Sequence, residues 1–163
     1  MSKQFWGFLL AGVAVVGIAL AGLWFGTKSS HLALDGKFLK VRTLALGKDA
    51  CLVVVDFRVA NTSAVPFVVR DVTLKLTPAS GAEVDGSPAS KTDIDHVFEA
   101  EKLIGPRFND VLSIEDRIAP NKTLDRMTAA RFELPESLVD GRKSLALRLE
   151  DVDGTAAEVR EGP

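Results

Sequence analysis

Phe5 to Phe25, FWGFLLAGVAVVGIALAGLWF, is a run of 21 residues without one charged or strongly polar side chain, beginning four residues into the chain. A helix rising about 1.5 Å per residue needs roughly 20 apolar residues to cross a hydrocarbon core of about 30 Å, so the run is long enough to span a bilayer. Trp6 and Trp24 stand 18 positions apart, roughly 27 Å along a helix axis, with Phe5, Phe8 and Phe25 beside them. Aromatic residues at both ends of a span mark the two membrane–water interfaces. Trp6, Trp24, Phe5 and Phe25 are therefore the expected interface anchors, and the lipid bilayer the expected first partner.

Two fates remain open for such a run. The tripeptide Ala19-Leu20-Ala21 matches the small-x-small pattern read by signal peptidases, and cleavage there would leave a chain beginning at Gly22. A signal-peptide core is usually about 7–15 residues, whereas this run continues through Leu23, Trp24 and Phe25. The reading favoured is an uncleaved anchor over residues 1–26. Counting Lys3 and the amine against Lys28, Lys37, Lys40 and Arg42 does not set the orientation by charge. An anchor at the start of a chain resembles an uncleaved export signal, so the amino terminus is expected inside a bacterial cytoplasmic membrane and the remainder on the periplasmic side. Small residues recur four apart, Gly7 with Ala11, Gly17 with Ala21 and Gly22 with Gly26, the spacing that lets helices approach closely in lipid. They are the expected helix-packing positions, and a partner in the bilayer would be another membrane subunit.

Beyond the run, residues 27–36 read as a linker and residues 37–163 as one domain. All 22 acidic residues lie in this part, with 19 of the 20 Lys and Arg. The balance is mildly acidic and no basic patch points to nucleic acid. Period-two patterning dominates: KFLKVRTLAL alternates roughly, CLVVVDFRVAN is a β-branched run that alternates after Val55, and FVVRDVTLKL sends Val72, Leu74 and Leu76 to one face. TLDRMTAARFEL, SLALRLEDV and AAEVRE continue the pattern, the last two joined at Asp153-Gly154, a hairpin-turn signal. One stretch departs from it. In KTDIDHVFEAEKLIG the apolar Ile94, Val97, Phe98 and Leu103 recur at helical spacing, Thr92 with Asp95 three places on reads as the N-cap, and Gly105-Pro106 stops the run. This predicts a short amphipathic helix from Asp93 to Leu103. The fold class expected is mainly β: an antiparallel sandwich of immunoglobulin-like type with one short lateral helix, preceded by a single transmembrane helix.

ACLVVVDFRVANTSAVPFVVRDVTLKLTPASGAEVDG resembles the opening of bacterial extracellular immunoglobulin-like domains of unknown function, where a strand ending in Asn-Thr-Ser leads through a Pro to a strand ending in a glycine turn. IAPNKTLDRMTAARFELPES resembles their later segment, in which a strand closes on Phe-x-x-Pro, here Phe132 to Pro135. The Asn-Thr-Ser strand end is also similar to that of water-stress and late-embryogenesis-abundant β-sandwich domains. The chain departs from the common form in the insertion Lys91–Gly105 and in APNK where Pro-Gly is usual. What the resemblance implies is the sandwich fold.

Catalytic chemistry finds little to use. A nucleophile–base pair needs a histidine or equivalent, and the two histidines are His31, near the run, and His96, on the predicted helix. His96 with Asp93, Asp95 and Glu99 could be imagined as a metal cluster, but a solvated helix face explains it more simply. Asp151-x-Asp153-Gly154 lacks the later ligands of a calcium loop and reads as a turn. Cys51 reads as a small core residue, and the acceptor patterns at Asn61 and Asn121 as coincidence. No enzyme activity, cofactor or metal is expected; the sequence does not reveal a small-molecule ligand. Loops carry function more often than strands; GPRFNDVLSIED therefore makes Arg107, Phe108 and Asn109 the candidate protein contacts, the plainer alternative being that Phe108 packs the helix onto the sandwich. The expected function is a non-catalytic interaction module, an accessory or stabilising subunit of a larger membrane assembly; the alternative is a stand-alone binding or stress-protective domain that contacts other proteins or a small ligand.

Overall fold

The structure, a computed structural model, describes Val16, Gly17 and residues 34–162. Val16 and Gly17 are helical. Of the positions expected from the sequence to pack or anchor a membrane helix, Gly17 alone is among them; Phe5, Trp6, Trp24 and Phe25, and Gly7, Ala11, Ala21, Gly22 and Gly26, lie outside the described residues. No helix among the described residues is long and apolar enough to cross a membrane. Residues 32–163 form a compact unit separate from residues 1–31.

Among the described residues, nine strands make up most of this unit: β1 (Leu34–Ala45), β2 (Cys51–Asn61), β3 (Phe67–Thr77), the short β4 (Val84–Asp85), β5 (Ser87–Pro88) and β6 (Arg117–Ile118), then β7 (Thr123–Phe132), β8 (Ser144–Asp151) and β9 (Ala156–Arg160). Two helices interrupt them, α1 (Lys91–Ala100) and α2 (Glu136–Asp140), with a 3-10 turn at Lys102–Ile104. The molecule is mainly β. The first sheet runs β1-β2-β7-β5 and the second β4-β3-β8-β9, with β6 paired to β3, and all these pairings are antiparallel. β1 begins at Leu34, so the last three residues of the expected linker belong to the sheet.

Alternation explains the core between the sheets. Val53, Val55, Phe57 and Val59 of β2, Ala130 and Phe132 of β7, Leu74 and Leu76 of β3, and Leu145, Leu147 and Leu149 of β8 interdigitate in one buried cluster. The two sheets thus stack face to face as a β-sandwich. Val72, expected on the same face as Leu74 and Leu76, is partly buried against that cluster. Bulges at Phe38/Lys40 and Val69/Asp71 interrupt β1 and β3.

The turns follow from their polar residues. Buried Asn61 donates from Nδ2 to the carbonyls of Val65 and Ile118, at 2.8 and 3.0 Å, and its Oδ1 accepts from the Ser63 amide and hydroxyl. It is a structural turn residue. Buried Asp151 accepts from the amides of Val68 and Asp153, and Gly154 takes φ +85°, which closes the β8–β9 hairpin where Asp153-Gly154 predicted a turn. The chain passes from β4 to β5 at Gly86, where a Cβ would meet the Phe132 ring at 2.6 Å and Ala130 at 2.7 Å.

The lateral helix is displaced from its predicted position. Ser90, not Thr92, is the N-cap: its hydroxyl accepts from the Asp93 amide, and the Asp93 carboxylate accepts from the Ser90 amide, a complete capping box. Thr92 falls inside the first turn. The helix ends at Ala100, and Leu103 belongs to the separate 3-10 turn, which closes at Gly105 with φ +81°. Apolar spacing marked the helix, but its start lies two residues earlier than the expected cap, where Ser90 and Asp93 form the reciprocal hydrogen bonds.

Candidate functional site

Strand β2 is buried on both faces over Cys51–Phe57, and the outer face explains the connection 91–116. Leu52 and Val54, pointing away from the inter-sheet core, pack with Met127 and Ala129 of β7 against Ile94, Ile104 and Val111 in a second cluster. Leu44, Val97 and Phe98 close around it. The non-alternating CLVVV was the sequence signal for this cover, because a strand roofed on both sides reads as a continuous apolar run. Residues 110–112 also extend the sheet: Val111 bridges Met127 in parallel, with Met127 N–H donating to Asp110 O and Leu112 N–H to Met127 O.

At the border of the cover lies an ion pair. Asp56 of β2 is 1% exposed and Arg42 of β1 8% exposed, and one guanidinium nitrogen donates to Asp56 Oδ2. The other donates to the carbonyls of Ile104 and Pro106, at 3.2 and 3.0 Å, tying the end of the 3-10 turn to the sheet. Asn109 Nδ2 donates to Asp56 Oδ1 at 2.8 Å. The guanidinium centre stands 5.0 Å from the Phe98 ring centroid and 5.5 Å from that of Phe108, within cation–π range. Arg42 Nε is buried without a hydrogen-bond partner.

The three residues expected as protein contacts therefore divide. Asn109 is drawn down onto Asp56. Arg107 is held by Asp95, Asp110 and the Asn109 carbonyl. Phe108 stays 57% exposed, with Lys40 Nζ 4.8 Å from its ring centroid. Phe98 and Val97, not Phe108, pack the helix onto the sheet. Sequence reading missed Arg42, Asp56 and Lys40. An aspartate inside the apolar run CLVVVDF was the available signal, since a buried carboxylate needs a paired cation.

His96 is exposed on α1, while Asp93 is engaged by the capping box and Asp95 by Arg107. Among the described residues no group of three His, Cys, Asp or Glu could hold a metal ion. Cys51 is buried; desolvation pushes its thiol pKa up, a backbone hydrogen bond at Leu44 opposes this, and the charges of Glu136 and Asp140 add to the rise. On the uncovered half of the first sheet, Arg58 donates twice to Asp125 at 2.7 Å, and the hydrogen bond lowers the Asp125 pKa and raises that of Arg58. A cleft of about 470 Å³ lies between the start of α1 and the 111–114 segment, lined by Asp71, Ser90, Ser113, Ile114 and Thr128 among others.

No protein-family model matches the chain, and no curated protein matches it. Among solved structures it is similar to the X-ray structure of Northeast Structural Genomics Consortium target SoR45, at 10% identity and a TM-score of 0.33, covering 83% of this chain and 84% of that one.

Proposed function

We propose that this protein is a membrane-anchored interaction module: an immunoglobulin-like sandwich, akin to the bacterial extracellular domains its strands resemble, held at the periplasmic face of a cytoplasmic membrane by the Phe5–Phe25 helix and serving as an accessory subunit of a larger membrane assembly. The observation that carries the contact role is the cover on the first sheet. Leu103, Ile114 and Phe108 are 91%, 67% and 57% exposed, the highest values among large hydrophobic side chains in residues 34–162, and all three lie within a dozen residues of one another. Arg42 and Asp56 fix the middle of that stretch. Exposed aromatic and aliphatic side chains on a preorganised support are the features from which binding hot spots are built, because little ordering entropy remains to be lost on association. The apolar run, with tryptophans at both ends, supports the anchor.

The test is solubilisation of native membranes in mild detergent followed by size separation. Co-migration with other membrane proteins is expected, and migration as a free monomer would refute the accessory-subunit role. A form exported without its anchor separates the alternative: a stand-alone binding or stress-protective domain keeps its activity, whereas an assembly subunit loses it.

A further inference from the structure

Charge on the cover restricts what can sit on it. Residues 91–116 contain seven carboxylates and three Lys or Arg, a net −4, whereas the whole chain carries −2. Several of these charges are already engaged: Asp93 by Ser90, Asp95 by Arg107, and Asp116 by the Ser113 amide. Glu99 and Glu101 are exposed and form no ion pair with any described residue. They stand four and two residues before Leu103, whose side chain is 91% exposed, with the exposed Lys102 between Glu101 and Leu103, so that residues 99–103 carry two carboxylates against one cation. A partner that covers Leu103 withdraws these carboxylates from water, and an unpaired carboxylate at a desolvated contact is costly. The occupant must therefore supply cations together with apolar surface. An anionic bilayer surface fails the same criterion, since it would place like charges against each other.

Resting on the reading that this domain is an interaction module, we propose that the 91–116 connection is the docking surface for a protein segment that intersperses lysine or arginine with apolar side chains, its cations meeting Glu99 and Glu101 and its apolar residues covering Leu103 and Phe108. The preorganised Phe108 ring, flanked by Lys40 and stacked on buried Arg42, gives that segment a fixed feature to close upon.

The experiment uses the full chain in native membranes. A benzophenone-bearing residue is placed in turn at positions 103 and 114 and, as a control on the other sheet, at position 160, and adducts are identified by mass spectrometry. The expected result is a protein adduct from position 103, absent from position 160, whose cross-linked segment is net positive and rich in apolar residues. Glu99→Lys combined with Glu101→Lys should lower that adduct by about tenfold or more, the scale of losing an interface hot spot, without altering the melting temperature, because both side chains face solvent. Phe108→Ser, the probe again at position 103, should also lower that adduct through the apolar contact. A lipid-only adduct, an acidic segment, equal yield from position 160, insensitivity to the charge reversal, or no adduct at all overturns the proposal. If the chain still co-migrates with other membrane proteins in that last case, the accessory role survives while this docking surface does not; a position-103 adduct from a chain that has left the membrane supports the docking surface and refutes the anchored accessory role.

Discussion

Arg42 and Asp56 form a buried ion pair in a place where two apolar side chains could have filled the space. Burying both charges costs solvation that mutual attraction only partly offsets, so such a pair contributes little net stability, yet removing one partner strands the other. Asp56→Ala is expected to destabilise the domain by about 3–5 kcal/mol in chemical denaturation followed by circular dichroism. Replacing both, Arg42→Met with Asp56→Leu, should recover most of that loss while freeing the Ile104 and Pro106 carbonyls, so that amides around residues 104–109 exchange faster with solvent. Cys51 offers a second test at this scale. Its raised pKa keeps the thiol neutral in the folded state, so a thiol reagent at pH 8 should label the protein only after unfolding. The unfolded chain ionises first, which means the associated stability is present below the ordinary thiol pKa and is lost as pH rises through roughly 8.5–9 and above.

At the scale of elements, α1 is short and depends on its cap and its one fully buried side chain. Ser90→Ala removes the hydroxyl that accepts from the Asp93 amide and should cost about 1 kcal/mol. The Ser90 side chain and amide hold the Asp93 pKa below the usual carboxylate value, so the capping contribution is present above that value and fades as pH falls through the lowered one. The penalty of Ser90→Ala should accordingly shrink in strong acid, as measured by denaturation at a series of pH values. Ile94→Ala opens a cavity under the cover and should cost about 2–5 kcal/mol, with exchange protection lost first in residues 91–112. Gly86→Ala forces a methyl group onto Phe132 and Ala130 at the crossing between the sheets. A loss of about 1–3 kcal/mol is expected from such overpacking.

For the whole molecule, residues 32–163 contain both hydrophobic clusters, and a chain beginning at Leu32 should unfold cooperatively by itself. If the anchor reading holds, the natural product begins at or next to Met1 and stays with membranes through carbonate and high-salt washing, because burial of about 20 apolar residues is effectively irreversible whereas electrostatic attachment is screened. Val15→Arg should cost on the order of 2.5–3.5 kcal/mol of insertion free energy and lower the membrane yield. An amino terminus at Gly22 would overturn the anchor and the bilayer partner together.

The sequence determined the long strands, because period-two alternation and turn residues act locally: FVVRDVTLKL, TLDRMTAARF and SLALRLED fold as β3, β7 and β8, with Leu74, Leu76, Ala130, Phe132, Leu145, Leu147 and Leu149 in the core between the sheets. It also determined that a helix interrupts them, from the spacing of Ile94, Val97 and Phe98. The apolar length of Phe5–Phe25 is likewise a property of the sequence alone. Tertiary structure decided the rest. β4, β5 and β6 are two residues each, too short to carry a period, and exist only because a neighbouring strand offers hydrogen bonds. Whether Ser90 or Thr92 capped α1, and whether Phe108 or Phe98 faced the sheet, depended on how the connection lay across β2. The pairing of Arg42 with Asp56 joins two strands through their register, Lys40 opposite Asp56 and Arg42 opposite Val54, shifted by the bulge at residue 39. No local pattern fixes such a shift, because register is set by the packing of both faces at once.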